Sequence, residues 1–229
     1  MKIGDIQRFS LIDYPGRICA IIFTQGCNFR CPYCHNPELV EPSLYGKGVT
    51  KRDAMAFLER RRGKLDAVSI TGGEPLLQRG LVAFIEQVRA LGYLVKIDTN
   101  GSRPDVLNRL ITEDLLDYIA MDVKAPLEKY REVVKASIKP ESIAQSIQLI
   151  MNSGIDYEFK TTVVNSLLTK QDLEKIGTLV KGAKRYFLQR FVPSKTLDPA
   201  FMNEKPWADD ELSAVKERLE KVLPSVDIR

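Results

Sequence analysis

At 229 residues and 44% apolar content the chain can bury one sizeable core, and its 28% charged and 8% aromatic residues suit a globular protein. A net charge of +4 is far from the dense basic footprint of a nucleic-acid binder, and no run of about eighteen apolar residues offers a membrane span. The start, Met1-Lys2-Ile3-Gly4-Asp5, lacks the apolar stretch of a secretion signal, so a cytoplasmic setting is expected.

Taken in order, residues 1–17 read as an N-terminal extension. Apolar runs of strand length follow at 18–24, 67–71, 93–99, 118–123, 157–164 and 185–192. Between and after them, helical periodicity runs over 51–62, 79–91, 105–111, 142–152, 170–181 and 209–222. Thr50 with Asp53, and Thr169 with Asp172, have the spacing of helix N-caps, while Gly92 and Gly154 stand where helix C-caps belong. The knot Arg60-Arg61-Arg62-Gly63-Lys64 reads as the solvated end of a helix. Residues 193–207, rich in Pro and charge, form a long irregular connection, so 193–229 is a C-terminal loop and helix. A single domain over 1–229 is expected.

Six strands alternating with helices predict parallel β/α units with right-handed crossovers. That pattern fits an open sheet or a barrel equally. Polar punctuation falls just after the apolar runs, at Gly72-Gly73-Glu74-Pro75, Asp98-Thr99, Asp122-Val123-Lys124, Lys160-Thr161-Thr162 and Gln189-Arg190. In parallel β/α folds the C-terminal strand ends are where chemistry gathers.

Three of the four cysteines, Cys27, Cys31 and Cys34, lie within Gln25-Gly26-Cys27-Asn28-Phe29-Arg30-Cys31-Pro32-Tyr33-Cys34-His35. Three thiolates at a Cys-x3-Cys-x2-Cys spacing can fold around one [4Fe–4S] cluster and leave one iron open for a substrate or cofactor. The plainer reading is a zinc site with His35 as fourth ligand, though ligands at 34 and 35 are neighbours and zinc modules usually pair separated dipeptides. Cys19, within Ile18-Cys19-Ala20-Ile21-Ile22-Phe23, reads as a small core hydrophobe.

The cysteine spacing, with Tyr33 just before the last of them, resembles the signature of the radical S-adenosylmethionine (SAM) superfamily. The string Cys31-Pro32-Tyr33-Cys34-His35-Asn36-Pro37 is similar to the glycyl-radical-enzyme activases, above all those of anaerobic ribonucleoside-triphosphate reductase. The resemblance runs from about residue 9 to about residue 192. It implies an α/β fold, a partial (β/α)6 TIM-like barrel, and two cofactors, a [4Fe–4S] cluster on Cys27, Cys31 and Cys34 and SAM chelating the open iron.

The same resemblance assigns the remaining rim. Gly72, Gly73 and Glu74 would meet the ammonium of SAM's methionine moiety, which needs converging acceptors. Lys124, with Lys160 second, would meet its carboxylate, a group that needs a positive partner in a partly dry site. Asp98, Thr99 and Asp122 would hold the ribose or a monovalent cation, Tyr33 would lay its backbone by the adenine, and His35 and Asn36 would line the approach. Pyruvate formate-lyase-type activases place a histidine on the last strand; here stand Gln189 and Arg190. No cysteines remain for ferredoxin-like clusters, so the electron would come from a flavodoxin- or ferredoxin-type donor.

The implied reaction is reductive cleavage of SAM to methionine and a 5′-deoxyadenosyl radical, which would take a hydrogen atom from a glycine Cα of a partner enzyme. Other readings are a radical SAM enzyme acting on a small molecule, such as a 7-carboxy-7-deazaguanine synthase, a zinc-binding adaptor, and a cluster-bearing electron carrier.

Overall fold

The computed structural model describes residues 1–229. All six expected strands form: β2 (Cys19–Thr24), β3 (Ala67–Gly72), β4 (Leu94–Thr99), β5 (Tyr118–Asp122), β6 (Asp156–Val163) and β7 (Tyr186–Arg190). Their centres are apolar and buried in succession, as strands covered on both faces are. β2 pairs β3 and β3 pairs β4 in parallel, as do β6 with β7.

Two further strands were hidden from pattern. β1 (Ile3–Ser10) pairs β2 antiparallel with two irregularities of register. Its residues are largely exposed and polar, so neither alternation nor an apolar run marks it. β8 (Val226–Ile228) pairs β7 in parallel and is too short to carry a period. The eight strands follow chain order in the sheet, from β1 to β8.

The helices are α1 (Pro37–Val40), α2 (Lys51–Arg60), α3 (Leu81–Ala90), α4 (Pro104–Thr112), α5 (Tyr130–Val134), α6 (Pro140–Asn152), α7 (Lys170–Leu179) and α8 (Asp209–Leu219). The two short ones, α1 and α5, were not expected. Thr50 caps α2 by accepting the Asp53 amide, and Thr169 with Asp172 forms a full capping box on α7. Gly92 and Gly154 take left-handed conformations just past α3 and α6, with φ of 89° and 75°. α6 starts on Pro140 and buries Ile143, Ile147 and Ile150, one stripe at helical spacing. No helix is long and apolar enough to cross a membrane.

The chain divides into two compact units. The first, residues 1–28, 36–99 and 105–119, holds β1 to β4. It buries a cluster of Tyr14, Cys19, Ile21, Ala67 and Tyr118, with Phe23 and Leu94 against it. Tyr14 and Tyr118 meet there at 5.6 Å between ring centroids. The second unit, residues 29–35, 100–104 and 120–229, holds β6 to β8 and α5 to α8. Its core includes Phe159, Tyr186, Leu173 and Leu219, and Gly177 of α7 leaves room for Leu219 of α8, where a Cβ would collide.

Candidate functional site

In the first unit, the chain leaves β2 as Thr24-Gln25-Gly26-Cys27 and is held by the turn after β3. The Gly73 amide donates to the Thr24 carbonyl at 2.9 Å, and the Glu74 amide to the Gly26 carbonyl at 2.8 Å. Gly72 has φ of 113°, and a Cβ on it would run into the Thr24 backbone; one on Gly73 would strike the Gly26 carbonyl. The glycine pair therefore serves the approach of two backbone segments, just ahead of Cys27, before it serves any ligand. Gln78 adds a third tie, its Nε2 donating to the Gln25 carbonyl at 2.7 Å.

Glu74 is 1% exposed, and its Oε1 accepts from Thr99 Oγ1 at 2.8 Å and from the Leu76 amide at 3.0 Å. Two residues singled out in the sequence, 25 positions apart, thus meet in one buried hydrogen bond. Asp98 takes a partner that sequence reading missed. Its Oδ2 lies 2.7 Å from Lys96 Nζ and 3.3 Å from Ser69 Oγ, all three residues being buried. Lys96 sits two positions before Asp98 on β4, and the period of two puts both on one face. Asp98 is thus a member of a buried ion pair. Cys19 is core, as expected: burial first, then Asp13, raise its thiol to about 11, with Lys96 opposing.

In the second unit, the loop Phe29–His35 is pinned at both ends. The Arg30 amide donates to the Val134 carbonyl at 2.9 Å, and the Cys34 amide to the Cys31 carbonyl at 3.0 Å, a tight turn around Pro32-Tyr33. The segment after β7 clamps the far side: the Leu197 amide donates to the Cys34 carbonyl at 3.0 Å and the Asp198 amide to the Pro32 carbonyl at 2.9 Å. His35 stacks on Phe191 at 5.3 Å with the rings 6° apart, and its Nε2 lies 2.9 Å from the Val192 carbonyl. A carbonyl only accepts, so Nε2 carries the proton. The one histidine of the chain thus fastens the cysteine loop to the end of β7. Tyr33 meets the same Phe191 edge-on at 6.4 Å.

Asp122 collects both predicted lysines. Lys124 Nζ lies 3.3 Å from its Oδ1 and Lys160 Nζ 4.0 Å from its Oδ2, with all three side chains mostly buried. Tyr130 supports this group: its hydroxyl accepts from the Lys124 amide at 3.1 Å and donates to the Asp122 carbonyl at 3.4 Å. Burial acts to lower the Lys124 ammonium, but Asp122, Cys31, Tyr130 and Cys34 together outweigh it, and the group is held well above its ordinary value. At the end of β7, Arg190 pairs with Asp209 of α8. Gln189 is half-buried opposite Thr162 of β6.

The donor set suits a cluster. None of Cys27, Cys31 and Cys34 is taken up in a disulfide. The Tyr33 hydroxyl is buried without a hydrogen-bond partner, and burial, then Cys31 and Asp122, push its pKa up. A buried donor left unsatisfied inside the cysteine loop is costly unless a bound group meets it.

The radical SAM superfamily model matches residues 21–181. A Methanocaldococcus jannaschii protein, named as a candidate glycyl-radical enzyme activating enzyme, is 34% identical over 99% of this chain and 95% of its own length. The pyruvate formate-lyase-activating enzyme of Clostridium pasteurianum is 25% identical over 86% of this chain and 83% of its own. A 7-carboxy-7-deazaguanine synthase of Koribacter versatilis is 32% identical over 64% and 62%. Among solved structures, Streptococcus suis SuiB bound to S-adenosylmethionine superposes with a TM-score of 0.66 at 14% identity. That match covers 91% of this chain and 49% of SuiB, so the chain spans about half of that protein. The shared fold is the α/β partial barrel expected from the cysteine motif. A family model across most of the chain and a relative matched almost end to end lead to one placement: this chain belongs to the radical SAM superfamily, an enzyme family working with a [4Fe–4S] cluster and S-adenosylmethionine, as a relative of its glycyl-radical enzyme activating enzymes.

Proposed function

We propose that this protein is a glycyl-radical-enzyme activase whose partner is an anaerobic ribonucleoside-triphosphate reductase, reduced by a flavodoxin- or ferredoxin-type donor in the cytoplasm. The observation that carries the activase reading is the match at 34% identity over 99% of the chain to a protein named as a glycyl-radical enzyme activating enzyme; the reductase as partner rests on the resemblance of Cys31-Pro32-Tyr33-Cys34-His35-Asn36-Pro37. Matches to three 7-carboxy-7-deazaguanine synthases cover 64%, 76% and 74% of the chain, short of 99%, and support that alternative less.

Bound together, cluster and SAM supply one-electron reductive cleavage to methionine and a 5′-deoxyadenosyl radical. The protein's own contribution is placement. Cys27, Cys31 and Cys34 would hold the iron, and the Leu197 and Asp198 amides, bonded to the Cys34 and Pro32 carbonyls, restrain that loop. Lys124, kept charged by Asp122, offers a fixed cation to a carboxylate. Glu74 has one carboxylate oxygen oriented by Thr99 and the Leu76 amide, which fixes the direction in which the other faces.

The test is anaerobic reconstitution with iron and sulfide, reduction, and assay for 5′-deoxyadenosine, followed by electron paramagnetic resonance of the reductase. Product lost in Cys31→Ala and a glycyl doublet on the reductase are the expected results. Product without any doublet points to the small-molecule alternative, and iron-loaded protein that makes no product even with the reductase present sinks the activase reading.

A further inference from the structure

β1 stands at the edge of the sheet and pairs as a strand on one side only, with β2. On its open side the chain makes a single bridge, Ile3 with Val49, closed by the Val49 amide on the Ile3 carbonyl at 2.9 Å. The pairing stops there for a local reason. The next residue, Thr50, caps α2, and the backbone turns into helix. Beside the rest of β1 a groove of about 640 Å³ is left between Asp5–Phe9 and α2. An open strand edge is a template for another strand, and this chain has already begun the pairing with itself. The Ile6 amide donates to Asp5 Oδ1 at 2.8 Å, a bond to its own neighbour that an incoming carbonyl can replace.

The lining of the groove says what kind of strand would fit. Ile6, Val49 and Phe57 give it an apolar floor, and Phe9, 49% exposed, forms part of its wall. Arg8, Arg60 and Arg61 converge on it from both sides. Its two carboxylates are already engaged, Asp5 with the Ile6 amide and Asp53 with the Thr50 hydroxyl. Arg61 Nε is buried without a hydrogen-bond partner, a desolvated donor that an acceptor would satisfy. The knot Arg60-Arg61-Arg62, which sequence alone makes a solvated helix end, therefore has two of its members on a groove beside an open strand edge.

We propose that the edge of β1 and the groove beside it take up an extended acidic segment of a partner protein as an added strand. Backbone bonds to residues 5–9 would supply affinity, with alternate side chains meeting the apolar floor and the arginines. The inference is independent of the cluster chemistry and goes beyond it.

The test needs only the full chain without its cofactors. The probe is a short synthetic peptide alternating glutamate with valine, followed by fluorescence anisotropy for affinity and hydrogen exchange for location. Slower exchange confined to residues 5–9 is expected, with binding weakened about tenfold or more by Arg60→Glu/Arg61→Glu and by Arg8→Glu. Lys181→Glu, on an exposed residue away from the groove, should leave affinity unchanged, and a lysine-for-glutamate peptide should bind at least about tenfold more weakly. Circular dichroism checks that each variant is folded, and Arg8→Glu, on the exposed face of β1, keeps the test open should the double variant fail that check. No binding, equal affinity for the acidic and basic peptides, or protection that misses residues 5–9 would each overturn the proposal.

Discussion

Thr99 Oγ1, at the end of β4, donates to Glu74 Oε1 at 2.8 Å, and both residues are almost fully buried. The Leu76 amide shares that oxygen at 3.0 Å. A buried carboxylate depends on such donors, since an unmet charge in a dry site is costly. Thr99→Val should therefore lower stability by about 1.5–3 kcal/mol, the worth of a hydrogen bond to a charged group, and Thr99→Ser by less. Urea unfolding of the two variants measures it, and equal midpoints would remove Thr99 from the account of how Glu74 is held.

Gly73 is the tightest point between the turn after β3 and the approach to Cys27. Adding a Cβ there meets the Gly26 carbonyl, backbone that cannot swing aside as a side chain could. Gly73→Ala should cost about 1–3 kcal/mol, as overpacking does, and lower the iron retained after reconstitution. Gly46→Ala, where a Cβ meets nothing within 4 Å, is the matched control. Iron content and thermal unfolding of the pair decide the point.

Cys19 should behave unlike the loop thiols. Burial, reinforced by Asp13, lifts its pKa to about 11, so at neutral pH it is a protonated, enclosed thiol. Iodoacetamide treatment of the cluster-free protein should label Cys27 and Cys34, both half-exposed, and reach Cys19 only after denaturation. Peptide mass spectrometry reads the order, and early modification of Cys19 would contradict its placement in the core.

Asp172 links stability to acid. It accepts from the Thr169 amide at 2.8 Å and pairs with Lys129 at 3.0 Å. Burial acts to raise its pKa, but the Thr169 and Lys129 bonds outweigh burial, and the carboxyl sits below the ordinary 3.8. The native state thus holds fewer protons than the unfolded chain, and stability from this group is present above the unfolded pKa. It is lost as pH falls through the depressed native value. Asp172→Asn should flatten the acid limb of the stability profile and lower stability at neutral pH. Parallel profiles for the two proteins would assign the acid limb to other groups.

The loop clamp makes a prediction about His35. Its ring both stacks on Phe191 and donates to the Val192 carbonyl, so His35→Phe should keep the stack and lose the bond, at about 0.5–1.5 kcal/mol. His35→Ala loses both and should cost more. Chemical denaturation curves for the two variants separate the contributions, and an unchanged His35→Ala curve would show that the fastening does not matter to the fold.

Much of this protein was legible in its linear order. Apolar runs at 18–24, 67–71, 93–99, 118–123, 157–164 and 185–192 became strands because each is long enough to cross a sheet and apolar enough to be covered on both faces. Thr50 and Thr169 could be read as caps because a cap is a bond between a residue and the amide three positions on, wholly local. The three loop cysteines were equally plain, all within eight residues of chain. β1 was not legible, since an edge strand needs no apolar period, and neither were the short α1 and α5.

What the sequence determined by itself, then, was whatever rests on neighbours in the chain: the strand and helix set, the caps and the cysteine spacing. Only the tertiary structure decided the pairings between distant residues. It joined Thr99 to Glu74, gave Asp98 to Lys96, set Asp122 between Lys124 and Lys160, turned Arg190 out to Asp209 and spent His35 on Phe191 and Val192. Most of those partners lie far apart in the chain, and the close pairs, Lys96 with Asp98 and Lys124 with Asp122, meet only because the fold buries them together. Which charge meets which carboxylate depends on strand register and burial, quantities that exist only once the sheet has formed.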